Sequence, residues 1–376
     1  MIVCLIPIVK SLLPAIHTLL AIAYAQRPDL DETLDQNCPA NARVGAHYRH
    51  TLAAQKSIFE ATHHGETSGR FFDVTRALIL LCFKQYGSAD VLESYLSNSS
   101  SIRACISLNL NKDSNSVAMS EQQLLQQILQ PRITDTSFMA IKPRDAVEAE
   151  EVRRTMLVAY ASDRMCCATT LWPGTLSEED YTTSLPRTTL KEFIEGSFGE
   201  EIMNRPPRHL NSHDFFTLKA ADAEQMMFKG TVILGKCAEL ICRLPRDASK
   251  EYIASMPGFQ RLESYITSLQ LSVNAIINPT GGLGIGNTNN KNNNSVGALS
   301  VWLISDRKCH FYDGVIIASS SLPHACTLTL HEPFANLSEE SEAVCRGACR
   351  SVIAILRVSR RMAMMVIQYV YVLSRF

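Results

Sequence analysis

Apolar residues along this chain recur mostly every three or four positions, the spacing that places them on one face of an α-helix. Strict alternation of apolar and polar residues, which predicts a half-buried strand, is scarce. We therefore predict an all-α fold, an irregular multi-helix array with long loops at 131–145 and 197–213. The predicted helices, with breaks inside the last two, cover residues 12–25, 41–62, 71–86, 89–97, 100–108, 120–130, 146–167, 188–196, 214–243, 257–275, 298–325 and 339–373.

The helix that follows Asp145 carries the most informative pattern. Its first turn is acidic, where carboxylates meet the positive end of the helix macrodipole. An apolar stripe then runs along one face and ends in an acid: Val152, Met156, Tyr160 and Asp163. A buried Asp163 needs a partner. Arg153 and Arg154 lie roughly 15 Å back along the same helix, so we expect the partner to come from elsewhere in the fold.

The chain after this helix reads as an irregular turn. The helix is predicted to give way at Trp172-Pro173-Gly174, because proline cannot continue it and glycine favours a turn. Ser177, followed by three acids, predicts a capped short turn or an acidic loop. A Leu-Pro pair ends the segment at Pro186. The residue pattern of this segment by itself indicates a core helix followed by a turn.

The order of these parts resembles the regulatory (middle homology) domain of fungal zinc-cluster transcription factors. Three other segments are similar to parts of the same family: Thr75 to Lys112, Asp214 to Cys242 and Pro323 to Phe334. In the first of them, Asn109-Leu110-Asn111 stands where the family has Gly-Leu-His, and asparagine can take the left-handed position that glycine usually fills. The likeness covers most of Leu12 to Arg361. It implies a helical body that regulates a transcription factor.

Composition agrees with a globular protein of the cytosol or nucleus. Of the 376 residues, 46% are hydrophobic and 19% charged, enough for a substantial core. The formal net charge is −1, and the body shows no basic excess of the kind that usually accompanies nucleic-acid binding. Arginines in the last thirty residues or so are interleaved with apolar residues at helical spacing, which favours a solvated basic face over a phosphate-binding surface.

The twelve cysteines do not form a zinc cluster. That module packs six cysteines into about thirty residues, because each tetrahedral zinc takes four ligands. Here the cysteines are scattered: Cys166-Cys167 are adjacent, Cys237 and Cys242 are five apart, and Cys345 and Cys349 are four apart. We expect buried free thiols and neither a metal site nor a disulfide framework. The resemblance then implies that the DNA-binding head, with the zinc that family members bind there, is missing from this chain.

No catalytic motif is complete, so we expect no catalytic and no cofactor-binding residue. His47 and His50 lack the Glu of a His-Glu-x-x-His zinc site, and we expect these histidines and His63-His64 on a surface or interface. The serines around Ser320 lack a Gly-x-Ser-x-Gly elbow. Gly281 to Gly286 is followed by an Asn-rich run and not by a helix, so it is no nucleotide loop. For His324 and His331, the resemblance implies a helix-packing role.

The apolar amino terminus leaves three interpretations open. Residues 12–25 are read as a buried first helix, in keeping with the resemblance. Ala23-Tyr24-Ala25 also resembles a signal-peptidase site, although no basic residue precedes the apolar run. A membrane anchor is the third interpretation, and Lys10 and His17 oppose it.

For the chain as a whole we predict a main helical regulatory body at 1–278, a Gly/Asn-rich flexible linker at 279–297 and a C-terminal helical layer of the same domain at 298–376. The expected function is that of a non-enzymatic regulatory and interaction domain in the nucleus, serving RNA polymerase II transcription. Expected partners are proteins of the transcription machinery or a homologous regulator, together with a small-molecule effector. DNA would be reached only through the missing module, and no membrane is involved. The alternative is a secreted or membrane-associated helical protein or enzyme with a signal at 1–25.

Overall fold

The predicted helical fold is confirmed by a computed structural model of the chain. It describes residues 46–63, 68–112, 140–189, 192–193, 195–210, 212–218, 220, 223–245, 252–253, 255–277, 303–306, 309–312 and 314–361. The predicted helices 12–25 and 120–130, the signal at 1–25 and the linker 279–297 lie outside these residues. No described helix is long and apolar enough to cross a membrane.

The helices are numbered in chain order. They are α1 (Ala46–His63), α2 (Ser68–Gly87), α3 (Val91–Ser107), α4 (Ala146–Thr170), α5 (Glu200–Met203), α6 (His213–Thr217), α7 (Ala223–Cys242), α8 (Pro257–Ile277), α9 (Gly314–His331) and α10 (Glu339–Arg361). A 3-10 turn, Glu332–Phe334, follows α9. Two short strands, β1 (Leu303–Asp306) and β2 (Cys309–Tyr312), precede α9.

The chain divides into two compact units. The first comprises residues 1–166, 174–188 and 192–211, and the second comprises residues 167–173, 189–191 and 212–376. This division does not test the predicted boundary at 279–297, which stays a prediction.

In the first unit, α2 packs against both α1 and α3. Ile58 of α1 lies in one buried cluster with Val74, Ala77 and Leu81 of α2. Helix α3 was predicted as two helices, 89–97 and 100–108, and that prediction is wrong. The serines at the expected break lie within the helix, and Ser100 donates its hydroxyl to the Leu96 carbonyl, one turn back.

In the second unit, α7 packs against α8 and α9, and α9 packs against α10. Gly230 lets α7 and α9 approach closely, since a Cβ there would lie 2.7 Å from Cδ1 of Leu322. Leu328 of α9 is buried with Cys345 and Ala348 of α10.

Four further predictions need correction in the described residues. The predicted helix 214–243 is interrupted, because Leu218 is extended (φ −70°, ψ 148°) and ends α6. Of the predicted helix 188–196, the described residues 188–189 are not helical, 192–193 are helical, and Gly196 adopts a left-handed φ of 67°. The predicted loop 197–213 contains the one-turn helix α5. The predicted helix 298–325 begins only at Gly314, and its first part contains β1 and β2, which pair antiparallel with Leu303 opposite Tyr312.

Candidate functional site

Helix α4 carries two buried acids, Glu150 and Asp163, each at the centre of a polar cluster within the first unit. The first group, called the Glu150 cluster, consists of Glu150, Arg153, Arg154 and Thr188. The second, called the Asp163 cluster, consists of Asp163, Arg164, Asn98 and Thr175. The two acids lie about 20 Å apart along the helix axis.

Asp163 is fully buried, as the apolar stripe predicted. Its Oδ1 accepts a hydrogen bond from Asn98 Nδ2 at 3.0 Å, and the Thr175 backbone nitrogen lies 3.1 Å from both carboxylate oxygens. Arg164 Nη2 donates to Oδ2 at 2.6 Å. The carboxylate is therefore held by three residues, two of them from outside α4.

The expected partner from elsewhere in the fold is thus confirmed, but the charged partner is the next residue in the chain. Sequence reasoning missed Arg164, because neighbouring residues on a helix do not normally face each other. Here both side chains turn towards the segment after the helix. Arg164 also donates to the Leu176 carbonyl at 2.8 Å, and its guanidinium lies 4.9 Å from the Tyr160 ring centroid.

Gly174 makes this arrangement sterically possible. A Cβ at this position would lie 1.9 Å from Arg164 Nη2 and 2.9 Å from Asp163 Oδ2. Because the guanidinium is fixed by its own hydrogen bonds, it has little room to yield. Helix α4 ends at Thr170, and the next residue, Leu171, has a left-handed φ of 58° that redirects the chain.

The Glu150 cluster fixes the other end of the segment that follows α4. Glu150 Oε1 accepts hydrogen bonds from the Thr188 N–H at 2.9 Å and hydroxyl at 2.5 Å, and Oε2 accepts from Arg153 Nε at 2.9 Å. Arg154 Nη2 donates to the Thr188 carbonyl at 2.8 Å. Burial raises the pKa of the Glu150 carboxyl, but the Thr188 hydrogen bonds and Arg153 outweigh it, so the pKa is lowered.

Between the two clusters, the chain docks on the end of α3. Asn109 has a left-handed φ of 61°, which confirms the conformation predicted for it. The Asn111 carbonyl accepts from the Thr182 and Thr183 N–H groups at 2.8 and 3.0 Å. The predicted capped turn also forms, since the Asp180 N–H donates to Ser177 Oγ at 3.1 Å.

The cysteines of the described residues are free thiols, most of them buried. No group of three or more His, Cys, Asp or Glu side chains among the described residues could hold a metal ion. A hydrogen bond with Cys82 and burial both raise the pKa of the Cys166 thiol.

The histidine at the end of α9 packs between helices, as expected. His331 lies edge-on to the Phe259 ring of α8, with centroids 5.4 Å apart, and its Nε2 is 3.5 Å from Glu263 Oε1. Burial lowers the pKa of His331. On α1, His63 is exposed and stacks on Phe59, while the side chains of His47 and His64 lie outside the described part of the structure.

The geometry of the two clusters does not by itself indicate a protein family, whereas comparison with known proteins does. No curated protein and no solved structure matches the chain. One family model does match, described as the fungal specific transcription factor domain, over residues 12–267. That match spans about two thirds of the 376 residues and includes both buried clusters. The chain therefore belongs to the fungal specific transcription factor domain family.

Proposed function

We propose that this chain is the regulatory and interaction body of a fungal transcription factor that controls transcription by RNA polymerase II in the nucleus. The observation that carries the proposal is the family match over residues 12–267. The proposed partners are proteins of the transcription machinery or a homologous regulator, with a small-molecule effector as a further ligand.

The buried clusters support a role that depends on one defined packing arrangement. The Glu150 and Asp163 carboxylates each fix an end of the segment 174–188, because they accept hydrogen bonds from the Thr188 and Thr175 N–H groups. A buried ion pair adds little net stability over apolar packing, but breaking it is costly, so it favours one arrangement over its alternatives. An effector would act by binding one arrangement better than another.

We propose no enzymatic activity, no cofactor and no membrane contact for this chain. The cysteines of the sequence lack the spacing of a zinc cluster, and the charge is balanced at −1. DNA would therefore be reached through a separate module. Purified chain is expected to show no sequence-selective duplex binding at physiological salt, and selective retention in a mobility-shift assay would contradict this.

The test is to fuse the full chain to a heterologous DNA-binding domain in a fungal host and to measure a reporter. The fusion is expected to change reporter output relative to the DNA-binding domain alone. Asp163→Ala should alter that effect at equal protein abundance, whereas Asp145→Ala, at the exposed start of the same helix, should not. Output equal to that of the DNA-binding domain alone, with the fusion abundant in the nucleus, would refute the proposal.

A secreted or membrane-associated protein is the second candidate, favoured by Ala23-Tyr24-Ala25. Mass spectrometry of the chain from its host decides between the two. Cleavage after Ala25 supports secretion, and an intact amino terminus in the nuclear fraction supports the regulator.

A further inference from the structure

Two buried cysteine thiols meet where side chains of α2, α3 and α4 converge. Cys82 of α2 and Cys166 of α4 are 1% and 3% exposed, and their thiols are hydrogen-bonded to each other. Ser94 of α3 lies beside both, with its Oγ 3.4 Å from Cys82 Sγ and 4.0 Å from Cys166 Sγ. Ser162 Oγ is 3.2 Å from Cys82 Sγ. These four side chains, which we call the dithiol cluster, all belong to the first unit.

The contacts of Cys82 stabilise its thiolate, unlike those of an equally buried cysteine on α3. Burial raises the pKa of the Cys105 thiol to about 12. For Cys82, the hydrogen bonds with Cys166 and Ser162 outweigh burial, so its pKa is lowered. Ser94 donates its hydroxyl to the Cys82 carbonyl at 3.1 Å, so of the two serines Ser162 is the one that donates to a Cys82 thiolate. The thiolate is the reactive form of cysteine, so Cys82 is the nucleophile of the pair.

Cys166 is placed to complete an oxidation that begins at Cys82. A Cys82 thiolate attacks hydrogen peroxide and takes one oxygen as a sulfenic acid, while the other leaves as hydroxide and becomes water with the proton that Cys82 had lost. The Cys166 sulfur then attacks the sulfenic sulfur, forming the S–S bond, and the expelled hydroxide leaves as water with the Cys166 proton. Two thiols and one peroxide thus give one disulfide and two waters. Hydrogen peroxide is uncharged and little larger than water, so local opening of the chain admits it.

The dithiol cluster lies one helical turn from the Asp163 cluster. Cys166 follows Asp163 by three residues on α4, and Ser94 precedes Asn98 by four on α3, so each pair shares a helix face. Hydrogen-bonded thiols lie farther apart than the about 2.05 Å between the sulfurs of a disulfide. Oxidation would therefore change the packing next to the buried Asp163 carboxylate.

A second buried thiol pair, in the second unit, provides an internal comparison. Cys237 of α7 and Cys326 of α9 are also hydrogen-bonded to each other. Cys326 donates to the Gly230 carbonyl at 3.5 Å, and burial raises its pKa well above the ordinary value. A neutral thiol is a poor nucleophile, so this pair should stay reduced at a peroxide concentration that oxidises the dithiol cluster.

We propose that Cys82 and Cys166 are a site of reversible oxidation, at which a hydroperoxide converts the two thiols into a disulfide between α2 and α4. A dithiol reductant reverses the reaction by thiol–disulfide exchange. This chemistry belongs to the dithiol cluster itself and does not depend on the proposed function.

The test treats the reduced, folded full chain with hydrogen peroxide, blocks the remaining thiols by alkylation and maps disulfides by mass spectrometry of tryptic peptides. The peptide that contains Cys82 is expected in disulfide linkage with the peptide that begins at Met165, and dithiothreitol should separate them. Cys166→Ser should abolish the linked peptide. The matched control is Cys167→Ser, which removes the neighbouring buried thiol and should leave the linkage intact.

A second variant tests the hydroxyl that positions the Cys82 thiolate. Ser162→Ala removes one hydrogen bond to the sulfur, so it should slow disulfide formation by roughly fivefold at neutral pH. It should also move the pH dependence of that rate to higher pH, because the thiolate is less stabilised. A hydroxyl that served packing alone would leave this pH dependence unchanged.

Three outcomes would overturn the proposal: a linked peptide that persists in Cys166→Ser, peroxide treatment that leaves both thiols reduced, and oxidation to sulfinic acid without a disulfide. Oxidation of the second-unit pair as fast as that of the dithiol cluster would overturn the role given to Ser162. If Cys166→Ser does not fold, fragmentation of the linked peptide from the unsubstituted chain decides whether the bond is at Cys166 or at Cys167.

Discussion

Replacing Asp163 by alanine tests the Asp163 cluster most directly. The substitution removes the acceptor for Asn98 Nδ2, the Thr175 N–H and Arg164 Nη2. It leaves the Arg164 guanidinium buried without its carboxylate. The side chain of Arg164 is only 7% exposed, so water does not readily replace the lost partner.

Removing one partner of a buried ion pair costs about 3–5 kcal/mol. Arg164 keeps its hydrogen bond to the Leu176 carbonyl and its contact with the Tyr160 ring, which offset part of the loss. We therefore expect Asp163→Ala to lower the free energy of unfolding by about 2–4 kcal/mol.

The assay is urea unfolding of the full chain, together with hydrogen exchange of peptides from α4. The local measurement is needed because a chain with two compact units need not unfold in one step. The control is Asp145→Ala, which removes only the exposed acceptor of the Glu148 N–H and should cost about 1 kcal/mol. A decrease in the free energy of unfolding by Asp163→Ala that is no larger than the decrease by Asp145→Ala would contradict the role assigned to the buried carboxylate.

Other substitutions in the first unit have expected outcomes of their own. Gly174→Ala should destabilise by about 1–3 kcal/mol in urea unfolding, because the new Cβ would meet Arg164. Ala89→Gly should stabilise by about 1 kcal/mol in the same assay, because Ala89 has a left-handed φ of 61°. The pKa of Glu150 is lowered by folding, so its carboxylate contributes stability that is present above the unfolded pKa, near 4.5, and is lost as pH falls through the folded pKa. A pH series of Tm should show that loss of stability, and the pH dependence should be absent in Glu150→Gln.

Local residue patterns were enough to predict the helical class and several details. The three-to-four spacing predicted α4, and the acid-ended stripe predicted a buried Asp163. The left-handed Asn109 was implied by the resemblance to the family's Gly-Leu-His element. These features depend on residues close together in the chain, so periodicity and turn chemistry find them.

The partners of the buried charges became visible only in the folded chain. Asn98 and Thr188 reach the acids of α4 from 65 and 38 residues away, and no local pattern marks them. The gap predicted between residues 97 and 100 is absent from the folded chain, where α3 is continuous and Ser100 donates its hydroxyl to the Leu96 carbonyl. Burial supplies the reason: a charge taken out of water must find partners wherever the fold places them.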